Sequence, residues 1–334
     1  MFSDVFAQIE SRFNFNHSRT GIYDHSARVA AISTVDKGID ATRHFVHSLL
    51  TRHNALVPIF LLPTEILARV FHLLVREERP LSGRRNLGWI RVTHVCQHWR
   101  QVALDDSSLW AKIWGIPKNT KWISEMLARA KDAPLDIEFS LSKNLEALRM
   151  IRSQLSRTRR LRFHNLEMYR PDSVREIFSW KAPALEHFEL TSTTNVSISF
   201  GDLDGNMLFK GHAPRLRTFS LSQVVIPWSL IPRGQLTQLK IFHPYEDYLG
   251  ELEQLIDLLV NCPALEFLYL NRCLPSQLAE FSHGQTIHLS HLSRLRLCGS
   301  TSRILNTLKM LKLPSSTTLH LNCISDMATI HDDA

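Results

Sequence analysis

The sequence predicts an α/β chain in two parts, an all-helical N-terminal region followed by a repeat solenoid built around a curved parallel sheet. Three observations carry this. From residue 59 to about 115, apolar residues recur at helical spacing with no strand-like alternation. Beyond residue 134, an apolar-x-apolar pair returns with a step mostly in the twenties. Between several of those pairs the apolar spacing switches back to that of a helix.

Residues 1–58 read as a helical lead-in. Phe2, Phe6, Ile9 and Phe13 form a short apolar pattern, and Thr34–Arg52 reads as an amphipathic helix carrying Ile39, Phe45, Val46 and Leu49. The stretch Leu62-Pro63-Thr64-Glu65-Ile66 starts the next helix. Pro63 suits the first turn, where a missing N–H costs nothing, and Glu65 faces the positive end of the helix dipole. Ile66, Val70 and Leu74, with Leu67 and Phe71 alongside, make one broad apolar stripe. After the charged, turn-forming run Arg76 to Gly88, the spacing of Ile90, Val92, Val95, Cys96, Trp99, Val102 and Ala103 predicts a second helix. Leu109 and Trp110 open a third. Three helices this short bury little surface alone, so part of their apolar area should be completed by a partner or by the rest of the chain.

Residues 116–133 are expected to be a helical linker, 134–323 about eight repeats, and 324–334 a short tail. The repeated pairs are Leu135/Ile137, Leu161/Phe163, Phe188/Leu190, Phe219/Leu221, Leu239/Ile241, Leu268/Leu270, Leu295/Leu297 and Leu319/Leu321. A period in the twenties around an L-x-x-L-x-L core is the leucine-rich-repeat pattern, with one strand and one helix or short turn per unit. Three copies share a closer match: Ala182-Pro183-Ala184-Leu185-Glu186, Ala213-Pro214-Arg215-Leu216-Arg217 and Cys262-Pro263-Ala264-Leu265-Glu266. Proline ends the preceding helix there and leucine leads into the strand. Leu145–Leu155, Ser173–Trp180, Glu251–Val260 and Ser302–Leu311 read as the intervening helices. The unit from Leu221 to Ile241, holding Pro227 and Pro232, is too short for a helix and should use a turn or 3₁₀ segment.

Taken in order, Leu62-Pro63-Thr64-Glu65-Ile66, Val92-Thr93-His94-Val95-Cys96-Gln97-His98-Trp99-Arg100 and Ser108-Leu109-Trp110 resemble an F-box over about residues 60–110. The resemblance implies a docking module for the Skp-type adaptor of a cullin–RING ubiquitin ligase. It assigns the contact to Leu62, Pro63, Ile66, Leu67, Val70, Val92, Val95, Cys96 and Trp99. His98 departs from it, in a place often held by Arg or Lys. Arg52 to Ile59 and Leu87 to Cys96 are further similar to F-box proteins abundant in mushroom-forming fungi, closely over about residues 39–140 and loosely over the repeats.

In such an array the strand residue between the two buried positions faces the concave side. Asp136, Arg162, Glu189, Ser220, Lys240, Tyr269, Arg296 and His320 are therefore the candidate target-binding set. They are mixed in sign and name no target. No Gly-x-Ser-x-Gly, Walker-type or Gly-x-Gly-x-x-Gly loop occurs, so no catalytic residue and no cofactor are assigned. His94 and His98 share a helix face, but Cys96 would point away from both, and no metal site is assigned. A net charge of +7 invites a nucleic-acid reading, strongest at Arg149, Arg152, Arg157, Arg159, Arg160 and Arg162. It is disfavoured against a solvated helix-and-edge face, because those arginines lead into a repeat strand and lack interleaved aromatics, and a third reading is an acidic patch on the target.

No apolar run approaches the roughly 20 residues of a membrane span, and the start, Met1-Phe2-Ser3-Asp4, shows no signal-peptide pattern. Five cysteines, an odd number, fit reduced thiols and a cytoplasmic or nuclear location. The short tail after Leu321 lacks the polar capping unit of a solenoid, which raises the expectation of a truncated end. The sequence thus predicts a non-enzymatic substrate adaptor of an SCF-type ligase. The alternative is a scaffold using the same two surfaces outside ubiquitination.

Overall fold

Alternation with a period of two puts one set of side chains on each face of a strand. The computed structural model describes residues 25–78, 87–114, 120–140, 145–164, 179–197, 208–243, 252–274 and 286–324, and there the alternating stretches are strands. These are β1 (Lys112–Trp114), β2 (Leu135–Ser140), β3 (Thr158–His164), β4 (His187–Ser197), β5 (Thr218–Val225), β6 (Gln238–Phe242), β7 (Phe267–Asn271), β8 (Ile287–His288), β9 (Arg294–Ser300), β10 (Leu311–Lys312) and β11 (Thr318–Ile324). Nine of them form one sheet in the order β1, β2, β3, β4, β5, β6, β7, β9, β11, each parallel to its neighbour. β8 and β10 make a separate parallel pair. The helices are α1 (His25–Ala55), α2 (Thr64–Glu77), α3 (Gln97–Asp105), α4 (Ser107–Trp110), α5 (Thr120–Ala130), α6 (Leu145–Arg152), α7 (Leu252–Val260) and α8 (Thr301–Met310). Two compact units divide the chain, residues 1–69 and 70–334.

In the first unit α1 begins nine residues before the expected Thr34 and runs three residues past Arg52. Val29, Ile32, Ile39, Phe45, Val46 and Leu49 along it are all exposed. The chain then makes a 3₁₀ turn at Pro58–Leu61 and passes through extended Leu62. Pro63 sits just ahead of α2 rather than inside it, its carbonyl accepting from the N–H of Ile66 and Leu67, both at 3.0 Å. The expected pattern at Phe2, Phe6, Ile9 and Phe13 lies outside the described residues.

In the second unit the core is two rows of side chains held in register. Ile113, Ile137, Leu161, Phe188, Phe219, Leu239, Leu268, Leu295 and Leu319 stand opposite one another across the nine strands. Phe139, Phe163, Leu190, Leu221, Ile241, Leu270, Leu297 and Leu321 form the second row. All are buried except Leu319 and Leu321 on the edge strand β11. Each buried side chain contributes roughly 2 kcal/mol. Phe188 holds the centre, with ring centroids 6.3 Å from Phe163, 5.6 Å from Phe219 and 5.1 Å from Phe209.

The register corrects the first repeat. Ile137 pairs with Leu161 and Phe139 with Phe163, so the equivalent pair in β2 is Ile137/Phe139 and not Leu135/Ile137. Leu135 is equally buried, which makes the run ambiguous to a period-two reading, and a register shift between Leu135 and Asp136 absorbs one extra residue of β3, Arg159. Asp136 therefore does not share a row with Arg162. The sheet also starts earlier than the expected boundary at 134, because β1 already pairs with β2.

The three Pro-containing copies fold alike: the N–H of Leu185, Leu216 and Leu265 donates to the carbonyl of Ala182, Ala213 and Cys262 at 3.2, 3.1 and 3.2 Å. The leucine closes a turn and is buried, and the strand follows two residues later. α6, α7 and α8 lie within a few residues of their expected spans, and a 3₁₀ turn at Trp228–Leu230 serves the short unit. Residues 173–178 of the remaining expected helix lie outside the described residues.

The expected second short helix is divided. Gly88–His94 is 3₁₀ and α3 begins at Gln97, because Cys96 is fully extended (φ −160°, ψ 172°) and its sulfur accepts the N–H of Trp99 at 3.5 Å. All five cysteines are free thiols, with Cys262, Cys273 and Cys298 buried.

Phe188→Ala should lower stability by about 4 kcal/mol, since it empties a site touched by three other rings. The check is the urea midpoint. His243, just after β6, is buried, and burial pushes its imidazole from 6.5 down to about 4. The unfolded chain takes up that proton near pH 6.5 and the folded chain only near pH 4. Stability should therefore fall as pH drops from 6.5 towards 4, by up to about 3 kcal/mol, and level off below. His243→Leu should remove this component of the pH profile in melts from pH 7 to 4.

Candidate docking surfaces

α2 has two faces that differ in exposure. Leu67, Phe71 and Val75, at helical spacing, are buried, whereas Ile66, Val70 and Leu73 are 42%, 37% and 57% exposed. Their steps of four and three put those three on one side of the helix. A β-branched or leucine row left in water on a helix whose other side is fully buried is the geometry of a partner-binding face.

From Val70 onward, the elements following α2 are braced by aromatic contacts and caps. Phe71 and Trp99 lie 5.3 Å apart, Trp89 and Trp110 5.0 Å apart edge-on. Trp110 donates its indole N–H to the Ala103 carbonyl at 2.6 Å, and the Arg129 guanidinium of α5 covers its ring at 4.3 Å. Asp106 caps α4, accepting the N–H of Ser108 at 3.0 Å and its hydroxyl at 2.6 Å, and lies 2.9 Å from His72. Burial alone would raise its pKa, but the Ser108 bonds and the His72 charge outweigh that and hold the carboxyl below its ordinary value. Ser108, His72 and Asp106 do not form a catalytic triad. Both oxygens approach the same ring nitrogen, Nε2, whereas a triad needs hydroxyl and carboxylate on opposite nitrogens.

The F-box-like family model matches residues 59–114. This stretch is an F-box-like domain. No curated protein and no solved structure matches the chain. Of the domain's nine expected contact residues, Pro63, Ile66, Val70 and Val95 are exposed, and Leu62, Cys96 and Trp99 are half-buried. Leu67 and Val92 are buried, so direct contact from these two does not fit the structure; they support the fold beneath the exposed residues. Sequence reasoning missed Leu73, which its seven-residue step from Ile66 would have shown.

The second surface is the open face of the sheet. One row runs Trp114, Glu138, Arg162, Glu189, Ser220, Lys240, Tyr269, Arg296 and His320, each opposite the next. It contains seven of the eight expected residues. Glu138 takes the place given to Asp136, which sits in the preceding row between Lys112 and Arg160. That row continues His187, Thr218, Gln238, Phe267, Arg294 and Thr318. Sequence reasoning missed it because it considered one outward residue per strand, although each strand is long enough for two.

The β2–β4 end of this face is electrically closed. Arg162 lies 2.9 Å from Glu138 and 3.8 Å from Glu189, Arg160 3.4 Å from Asp136, and Arg159 2.6 Å from Glu186. Arg159 holds the Glu186 carboxyl below its ordinary value, chiefly by its hydrogen bond. Arg157 is spent locally, donating to the carbonyls of Lys131, Ala133 and Leu127 at the end of α5. Four of the six arginines singled out for a nucleic-acid reading, Arg157, Arg159, Arg160 and Arg162, are thus engaged with protein groups. Among the described residues no His, Cys, Asp and Glu cluster has a metal-binding arrangement, and no helix is long and apolar enough to cross a membrane.

Asp106→Ala should cost about 1 kcal/mol by removing the α4 cap, whereas Asp106→Asn, which still accepts, should keep most of it. Urea midpoints of the two variants at neutral pH provide the comparison.

Proposed function

We propose that this chain is the substrate-recognition adaptor of an SCF-type cullin–RING ubiquitin ligase. The F-box-like domain docks the Skp-type adaptor, and the open face of the sheet binds the target protein. The observation that carries the reading is the family match over residues 59–114 together with the exposed row Ile66, Val70 and Leu73 on α2. The sheet we read as a leucine-rich-repeat solenoid. Parallel pairing in chain order across the nine-stranded sheet, two buried in-register residues in each of β2–β7 and β9, and the repeated Pro-Leu turn support that. The similarity to F-box proteins of mushroom-forming fungi belongs to the same proposal.

The proposed mechanism is proximity. A target held beside the ligase's charged ubiquitin carrier meets it at a raised effective concentration, so a lysine attacks the carrier's thioester without a catalytic residue from this chain. The chain binds and orients; it needs no cofactor. Its place of action is the cytoplasm or nucleus.

Ile66→Asp and Val70→Asp, made singly in the full chain, should weaken binding to purified Skp-type adaptor by more than about tenfold, because each puts a charge in an apolar contact. Both side chains are exposed, so thermal melts should stay near those of the unaltered chain. Unchanged adaptor affinity in both variants would remove the ligase reading.

A further inference from the structure

The open face changes character from one end to the other. On β3 the arginines have carboxylates from β2 and β4 within ion-pair distance. Across β6, β7 and β9 the cations gather instead around one aromatic ring. Lys240 Nζ lies 5.3 Å from the Phe267 centroid, and the guanidinium carbons of Arg294 and Arg296 lie 5.3 and 5.8 Å from it. Among the described residues, no carboxylate comes within 4 Å of any of the three. A ring face attracts a cation by roughly 0.5–1 kcal/mol at such sites but does not neutralise it. Three positive charges on the two strands that flank β7 are thus held together without a counter-ion among the described residues, at a mutual electrostatic cost.

In the same outward row as Lys240 and Arg296, Tyr269 stands between them, its hydroxyl accepting from the Asn271 amide at 2.9 Å. The result is a patch with two fixed aromatic rings bordered by charge. Its cations sit on β6 and β9, which flank β7 and lie about 10 Å apart, a distance spanned by about three residues of extended chain. Arg294 and Arg296 both turn onto Phe267. A nucleic-acid backbone would need the positive charge to continue along the face. It meets Glu189, Glu138 and Asp136 instead.

We propose that Lys240, Phe267, Tyr269, Arg294 and Arg296 form the docking site for an extended segment of the target rich in aspartate and glutamate. The inference rests on the reading of the open sheet face as the target-binding surface and specifies the chemistry of the target. Carboxylates pair with the three cations, and the chain between them lies over the two rings. Selectivity follows from the contrast along the sheet, since at the closed end Arg160 and Arg162 are already paired with acids of β2 and β4 and have less charge to offer such a segment.

The test uses the full chain and a fluorescein-labelled peptide of about ten residues alternating Asp or Glu with Ser, read by fluorescence anisotropy at low salt. Saturable binding is expected, lost in the Asn/Gln version of the peptide. Replacing Lys240, Arg294 and Arg296 together by Ala should weaken it at least tenfold, while Arg160→Gln should change it less than twofold. The proposal is overturned if the amidated peptide binds equally, if the triple variant retains affinity, or if Arg160→Gln is as damaging. It is also overturned if a singly phosphorylated peptide of equal net charge, or a single-stranded oligonucleotide, binds more than tenfold tighter. Thermal melts confirm that each variant is folded. Binding of the Skp-type adaptor to the same preparations is expected to be unaffected, so an unaltered chain that binds the adaptor but not the peptide rejects this site alone.

Discussion

The second unit depends on one constraint: each strand can hide its two apolar side chains only if the next strand presents its own at the same height. Parallel register meets that constraint across all nine strands, from Ile113 to Leu319 in one row. A slip of one residue would turn every buried side chain of a strand into water and every outward charge into the core. The Pro-containing turns hold the register from outside the sheet. In each of the three copies the turn's leucine is buried, and the backbone N–H of the next residue reaches back to the preceding repeat, as Glu186 does to Arg159 and Glu266 to Thr237. Local chain geometry and long-range pairing therefore agree on one alignment, which is the consistency a unique fold requires.

The same register decides where charge goes. Because the outward residues of neighbouring strands are brought opposite one another, a carboxylate a strand away is the natural partner of an arginine. β2, β3 and β4 use that arrangement fully. Burial adds to it at His187, whose imidazole is pushed down first by desolvation and then by Arg160. Where the facing strand offers Ser220 or Tyr269 in place of an acid, a cation finds only an aromatic ring. The difference between the two ends of the face is thus set strand by strand and needs no special loop.

Much of this was legible in the chain itself because it depends on spacing. The apolar-x-apolar pairs from Leu161/Phe163 onward mark strands in the right order, and the outward residue between each pair falls in one row. The Leu-Pro-x-Glu-Ile start and the helix behind it were equally readable. What failed was what spacing leaves degenerate. Leu135, Ile137 and Phe139 offer two equally good pairs, and only the neighbouring strand chooses between them. The run from Ile90 to Ala103 keeps helical spacing through a 3₁₀ segment and an extended Cys96, because a side-chain cap, not a change in hydrophobicity, makes the break. Phe209 packs on Phe188 from a left-handed backbone (φ 59°) that nothing in a phenylalanine announces. Leu67 and Val92 show the matching limit in the F-box-like domain, since apolar character alone does not say which side of a stripe stays in water.

The join between the F-box-like domain and the sheet bears on how a proximity mechanism would work. The domain's last residues are themselves β1, paired with β2, and the Ala111 carbonyl accepts the N–H of Asp136 at 3.0 Å. α5 returns Arg129 onto Trp110. From Val70 onward the domain and the sheet therefore share hydrogen bonds and a core and are not two bodies on a flexible tether. A tethered receptor would sample many positions, diluting its cargo over the volume the tether allows. A receptor that shares a core with its docking domain would, under the proposed function, hold its cargo within a narrow range of positions, which raises effective concentration where the geometry fits and lowers it where it does not. Under the proposed function, such a chain would select its target twice, once by the chemistry of the open face and once by which lysines fall within reach.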